Sequence, residues 1–275
     1  MSEKIILITG VSSGFGAAIA DEAFRQGWRV VGTVRSEQAR IAFEAKCPGQ
    51  SIGRLLDVTE GARVSQVITE VETAVGPICA LVNNAGYGLV GPIEECPMDE
   101  IRKQFECNVF GAIAVLQGVL PFMRRRRTGR ILNITSMGGI ITFPGVGIYN
   151  ASKFAFEGVS DVLGKEVREF GIFVTAVEPG MFRTDWYGRS QRKAPQAIND
   201  YDNQREELKK LDSMAYGDLA RATEVILTVL DDPDPPTHLP LGADAFKLIE
   251  ERLDTLKAEI AARRSLSESP SYQAV

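Results

Sequence analysis

Ser136, Tyr149 and Lys153 have the residue types and spacing for proton transfer at a single oxygen. Tyr149 and Lys153 are four apart in a helical pattern, so they share one helix face and reach one pocket. A phenol with an ordinary pKa of ~10 is a poor base at neutral pH, short by about three units or roughly 4 kcal/mol. A lysine ammonium about 5 Å away contributes roughly 3 kcal/mol at an effective dielectric near 20, most of that deficit. In the reductive direction the demand is milder, because Tyr149 then donates its proton to a forming alkoxide. Ser136, thirteen residues before the tyrosine, supplies a hydroxyl that can orient a carbonyl or alcohol oxygen. An isolated Tyr-x-x-x-Lys is usually a solvated helix face. Ser136 and a second motif near the N-terminus lift this one above that background.

The second motif is Thr9-Gly10-Val-Ser12-Ser13-Gly14-Phe15-Gly16, set between an Ile-rich run and a helical pattern. A glycine-rich turn lets backbone approach a pyrophosphate, and the helix N-terminus then offers unpaired N–H groups and a positive dipole end. In a strand–turn–helix context this is a dinucleotide signal, although its spacing departs from G-x-G-x-x-G.

These residues need a scaffold, and the patterning describes one. The chain has 275 residues, 44% hydrophobic and 24% charged, close to the globular average. Length alone gives a prior of about two domains, but α/β folds often reach this size as one. Ile- and Val-rich runs at 5–8, 30–34, 52–56, 78–82, 131–134 and 172–177 have the character of strands buried on both faces. Between them lie amphipathic stretches; Val64, Val67, Ile68, Val71 and Val75 mark one helix face. Strand and helix alternating this often implies an α/β, doubly wound parallel sheet with helices on both faces. We expect one domain over 1–264 and a frayed polar tail over 265–275. The irregular stretch 183–216, where no sheet strand fits, is expected to act as a substrate lid. Residues 243–264 read as an amphipathic helix covering the sheet or meeting a partner subunit.

Composition also excludes. Lys and Arg number 31 against 36 Asp and Glu, a net charge of −5 that argues against a nucleic-acid partner. The run Arg124-Arg-Arg-Arg127 reads as cations at a helix C-terminus. No apolar run approaches the ~18 residues of a membrane span, and the N-terminal apolar stretch is too short for a signal-peptide core. Cys47, Cys79, Cys96 and Cys107 form no C-x-x-C pair and read as free thiols in a reducing cytoplasm. With His238 the single histidine, no metal site is expected and a structural role is assigned to it.

The glycine-rich turn resembles that of the short-chain dehydrogenase/reductase family, and further matches follow in the family's order over about residues 4–242. They are Asp57, Asn83-Asn84-Ala85-Gly86, Asn108, Ser136, Tyr149-x-x-x-Lys153 and Pro179-Gly180-Met-Phe-Arg-Thr184. The resemblance implies a Rossmann-type sheet of about seven parallel strands and a catalytic set of Ser136, Tyr149, Lys153 and Asn108. In that pattern Lys153 bonds the nicotinamide ribose and Asn108 holds a water linking Lys153 to solvent. It also implies cofactor contacts at Gly10, Ser12, Ser13, Gly14, Phe15, Gly16, Asp57, Val58, Asn84, Ala85, Gly86, Pro179, Gly180 and Thr184. Asp57 takes the adenine.

NAD enzymes place an acid at the end of the second strand. Here Val34 stands there and Arg35 follows, a guanidinium suited to a 2′-phosphate. Ser12 fits the same preference, so NADP(H) is the expected cofactor, with Glu37 as the contrary sign. The substrate pocket is expected to be lined by 138–146, by 87–93 after the fourth strand and by 181–187 with the excursion that follows; Phe143, Val146, Met181, Phe182, Trp186 and Tyr187, with Ser136 and Tyr149, make it mostly apolar. A hydrophobic secondary alcohol, ketone or aldehyde fits it, and the flavour is that of hydroxysteroid and retinol dehydrogenases. A non-catalytic NADP(H) sensor and an NAD-preferring dehydrogenase stay open as alternatives. Relatives pair through the helices carrying Asn108 and Tyr149, so a homodimer or homotetramer is expected.

Overall fold

In the computed structural model, which describes residues 4–184, 190–196, 198–211 and 217–270, the Ile- and Val-rich runs all become strands. They are β1 (Ile5–Ile8), β2 (Arg29–Val34), β3 (Ser51–Leu55), β4 (Ile78–Asn83), β6 (Gly129–Ile134) and β7 (Ile172–Pro179). β9 (His238–Leu241) completes a seven-stranded sheet of order β3-β2-β1-β4-β6-β7-β9, and every pairing is parallel. Side chains alternate across a strand, so both faces must be covered. Ile5 and Leu7 enter one core with α3 (Gly61–Ala74), α5 (Ala112–Arg126) and α6 (Gly147–Val167). Ile6 and Ile8 enter the other with α1 (Gly14–Arg25), α2 (Glu37–Glu44) and α8 (Leu219–Asp231). The fold is therefore an α/β doubly wound, Rossmann-like sheet.

Strand order reverses between β1 and β4, and ligands of such sheets bind in the crevice outside the strand ends at that point. The glycine-rich turn leaves β1 there and Asn84 leaves β4, which places both motifs at one crevice.

The stretch 183–216 corrects one expectation. A strand does form there, β8 (Gln191–Lys193), pairing with β5 (Gly88–Val90) in a separate two-stranded parallel sheet. β8 is short and mostly solvent-facing, so it carries none of the apolar pattern that announces a buried strand. α7 (Asp202–Leu211) follows it.

α4 (Met98–Phe105) runs through a π-helical turn, Glu106–Gly111, into α5. The combined helix Met98–Arg126 is long and apolar enough, by length and composition, to cross a membrane, contrary to the sequence expectation. Part of its apolar surface packs inside the protein: Val115, Leu116, Val119 and Met123 are buried against β4 and α3, whereas Met98 and Phe110 are exposed. The arginine run ends this helix. Arg126 pairs with Glu72 at 2.6 Å and bonds the Ile78 carbonyl at 2.9 Å, while Arg127 takes the left-handed C-cap conformation with φ +56°. α9 (Ala243–Ala262) buries Ala245 and Ile249 but leaves Phe246, Leu253 and Ile260 exposed. One exposed helical turn, α10 (Arg264–Glu268), opens the polar end that was expected to fray.

Candidate functional site

Gly10 and Gly14 sit at φ +74° and +59°, the left-handed region that an L side chain rarely adopts. Between them the chain leaves β1 and starts α1, pinned by Gly10 N–H donating to the Thr33 hydroxyl at 3.1 Å. Asn84 braces the turn from β4: its amide donates to the carbonyls of Thr9 at 2.9 Å and Gly10 at 3.1 Å. Gly16 does not line the cleft. A Cβ there would lie 2.2 Å from the Gly10 carbonyl oxygen and 2.5 Å from Asn84 Nδ2, so it is the residue that lets α1 approach the turn. α1 has no side-chain cap at Ser13 and no acid in its first turn, whereas Ser36 caps α2 and Asp218 caps α8. Its first N–H groups are thus left for an anion.

The turn opens onto a cleft of about 820 Å³ lined also by Ser12, Phe15, Ala85, Gly86, Pro179, Gly180 and Thr184. At the end of β2, Arg35 is exposed on the rim. Glu37 points elsewhere, its carboxylate accepting from Arg40 Nε at 2.9 Å in an ion pair. Asp57 lines the cleft beyond β3, oriented by the Thr59 N–H at 3.0 Å and hydroxyl at 2.8 Å. Val58 beside it also lines the cleft and backs onto Gly111 in the π turn.

Ser136, Tyr149 and Lys153 meet at the inner end of the same cleft. Ser136 Oγ accepts from the Gly138 N–H at 3.0 Å and bonds the Tyr149 phenol. Lys153, on the next turn of α6, donates Nζ–H to the Ile134 carbonyl at 2.8 Å, and its Nζ lies 5.8 Å from the Tyr149 ring centre. The sequence expectation was a phenol pulled down by the ammonium. Burial dominates instead: it pushes Tyr149 up to about 12, against the Ser136 bond, and Lys153 down to about 8. Removing a phenolate from water outweighs the attraction of a cation at this distance. Asn108 does not line the cleft. It is buried in the π turn, its amide group engaged by the Tyr87 backbone, with Nδ2 to the carbonyl at 2.9 Å and Oδ1 to the N–H at 3.1 Å.

Of the expected substrate residues, Phe143, Val146 and Met181 line the cleft. Phe182 reaches it but belongs to the sheet core, its ring edge-on to Phe15 at 5.2 Å. Trp186 and Tyr187 lie outside the described residues. Sequence reasoning missed Asn150, which shapes the loop before α6 through the Gly138 carbonyl at 2.9 Å and the Phe143 N–H at 3.1 Å. The stretch 87–93 was expected at the substrate pocket, and Tyr87 does line the cleft; Arg192, in the stretch expected to act as a lid, was not singled out. The Tyr87 hydroxyl is buried at the cleft wall without a hydrogen-bond partner among the described residues, and Arg192 covers its ring at 5.3 Å. An Asn beside a conspicuous Tyr was a readable signal; the Tyr87–Arg192 contact joins β5 to β8 and was not.

A family model described as short chain dehydrogenase matches residues 4–195. Over 269 residues the chain is 34% identical to oxidoreductase BOA17 of Botryotinia fuckeliana, covering 96% of this chain and 98% of that one. It is 40% identical over 188 residues to a 3-ketodihydrosphingosine reductase of Bacteroides thetaiotaomicron, covering 67% of this chain and 66% of that one. Among solved structures, a short-chain dehydrogenase from Streptomyces avermitilis superposes with TM-score 0.93 at 37% identity, covering 99% of this chain and all of that one.

Proposed function

The chain belongs to the short-chain dehydrogenase/reductase family of NAD(P)-dependent oxidoreductases, and from that premise we propose that it is an NADP(H)-dependent reductase of a hydrophobic ketone. The observation that carries this reading is one continuous cleft. It joins an uncapped helix N-terminus and Arg35 at its outer end to half-buried Ser136 and Tyr149 and buried Lys153 at its inner end. A dinucleotide fits those residues: the pyrophosphate on the N–H groups of α1, the 2′-phosphate on Arg35, the adenine beside Asp57. Bound there, the nicotinamide supplies or accepts the hydride.

The proton work falls to the chain. Tyr149 stays protonated across the physiological range and is suited to donate to the oxygen of a carbonyl being reduced. Ser136, fixed by Gly138, holds that oxygen. Lys153 carries more donors than the Ile134 carbonyl uses, which leaves N–H groups for ribose hydroxyls. Asn108 acts from behind, holding the Tyr87 segment at the cleft wall rather than touching substrate by its amide.

Phe143, Val146, Met181 and Leu208 make the substrate end apolar, with the Tyr87 hydroxyl as a polar handle. A relative named for a keto substrate supports a ketone over a sugar acid. The four cysteines are free, which fits the reducing cytoplasm we assign to it. We also propose one domain over 1–264 and a homodimer, or a tetramer built from it. The test is NADPH consumption over long-chain ketones, cyclic ketones, steroids, retinoids and aldehydes. Turnover of an apolar ketone supports the reading. NADPH binding without turnover of any carbonyl favours the sensor alternative.

A further inference from the structure

The single histidine, assigned no chemistry from the sequence, stands beside two buried glutamates. β9 is one of the two edge strands, and its His238 pairs in register with Ala176 of β7, so His238 shares a sheet face with Glu178 two residues further along. Glu157 comes onto that face from α6, one helical turn beyond Lys153. His238 Nδ1 lies 2.7 Å from Glu178 Oε1 and 3.7 Å from Glu157 Oε2, and one ligand atom from each residue falls within 4.8 Å of the others. None of the three lines the cofactor cleft.

Among the described residues this group sets two carboxyls against one imidazole. Glu178 is fully buried and Glu157 is 8% exposed, yet among the described residues both Glu157 oxygens and Glu178 Oε2 have no hydrogen-bond partner. The Thr135 hydroxyl is adjacent, but its one proton goes to the Val177 carbonyl at 2.7 Å. Lys153 donates to Ile134, and Asp161 on the next turn of α6 is paired with Lys165. Burying carboxylates without donors is costly, and proteins resolve it by protonation, pairing or a metal. Desolvation holds both carboxyls above the usual range, Glu157 at about 7.

We propose that Glu157, Glu178 and His238 bind one divalent transition cation, with Zn2+ as the best fit. One imidazole and two carboxylates suit Zn2+, Mn2+ or Fe2+ better than Mg2+, which prefers oxygen and water. Donors around tetrahedral Zn2+ at about 2.0–2.1 Å lie roughly 3.3 Å apart, between the two His238 distances above, so small side-chain shifts suffice. The half-exposed His238 side chain leaves an entry path and a position for water. The ion would displace the Nδ1 proton and any proton on the glutamates, so affinity rises with pH. It would tie this edge strand of the sheet to the helix that carries Tyr149 and Lys153.

The test uses full-length protein stripped with EDTA, titrated with Zn2+ by calorimetry and with Co2+ by visible absorption. One ion per chain, no thiolate charge-transfer band from the cysteines, and a raised melting temperature are expected. His238→Ala should weaken binding at least about tenfold, since even losing an outer-shell partner has that effect. Glu178→Gln should do the same, and His238→Ala alone decides if that variant fails to fold. A wild type that binds neither ion, or His238→Ala binding that matches the wild type, overturns the proposal. Neither readout depends on turnover.

Discussion

Arg35 is left without an ion-pair partner among the described residues, while Glu37, the sign that favoured NAD, is taken by Arg40. Charge-assisted bonds to a phosphate are worth about 1.5–3 kcal/mol, so Arg35→Ala is expected to raise the KM for NADPH roughly tenfold to a hundredfold. The KM for NADH should change little, and steady-state kinetics with equal effects on both would contradict the assignment. Glu157 makes a second test. Its carboxyl titrates at about 7 rather than 4.5, so between those values the folded chain keeps a proton that the unfolded chain releases. Stability therefore falls as pH rises through that window and stays reduced above it. With chelator present, Glu157→Gln should melt higher than the wild type at about pH 8, with the gap closing toward pH 4.5. A gap independent of pH would show that the buried charge is not the cause. Tyr149 and Lys153 were legible because helix spacing alone puts them on one face. Glu157, the next residue in that same series, was not: its burial depends on Glu178 and His238, far away in the chain.

At the scale of elements, α1 meets the turn after β1 only because residue 16 has no side chain. A methyl group at Gly16 would have to displace the Gly10 carbonyl or Asn84. Overpacking of this kind costs about 1–3 kcal/mol, so Gly16→Ala should lower the denaturant midpoint and weaken NADPH binding together. A variant unchanged in both would remove the close approach from the account of the turn. The interior strands were legible because burial on both faces demands continuous Ile and Val. β9 showed less: it is an edge strand containing Pro240, which has no N–H to give a further neighbour. β8, polar and at the surface, showed nothing.

Across the whole molecule, an acidic chain is proposed to hold a phosphate-rich ligand by local means, namely a helix terminus, Arg35 and Lys153, so net charge gave no warning of it. Phe110 in the π turn and Phe154 and Val162 on α6 are exposed at 55%, 42% and 49%, an apolar surface on the two helices through which relatives were expected to pair. We therefore expect a dimer by light scattering that Phe154→Glu converts to monomer without loss of helicity; a wild-type monomer would refute the pairing. The central claim is that Tyr149 moves the proton in an NADPH-dependent carbonyl reduction. Its most direct measurement is single-turnover NADPH oxidation by Tyr149→Phe beside the wild type on the best ketone of the panel, with NADPH affinity read separately by fluorescence. Loss of general acid catalysis should slow the step by about 10²–10⁴-fold with NADPH binding unchanged, whereas a variant that oxidises NADPH at the wild-type rate would contradict it.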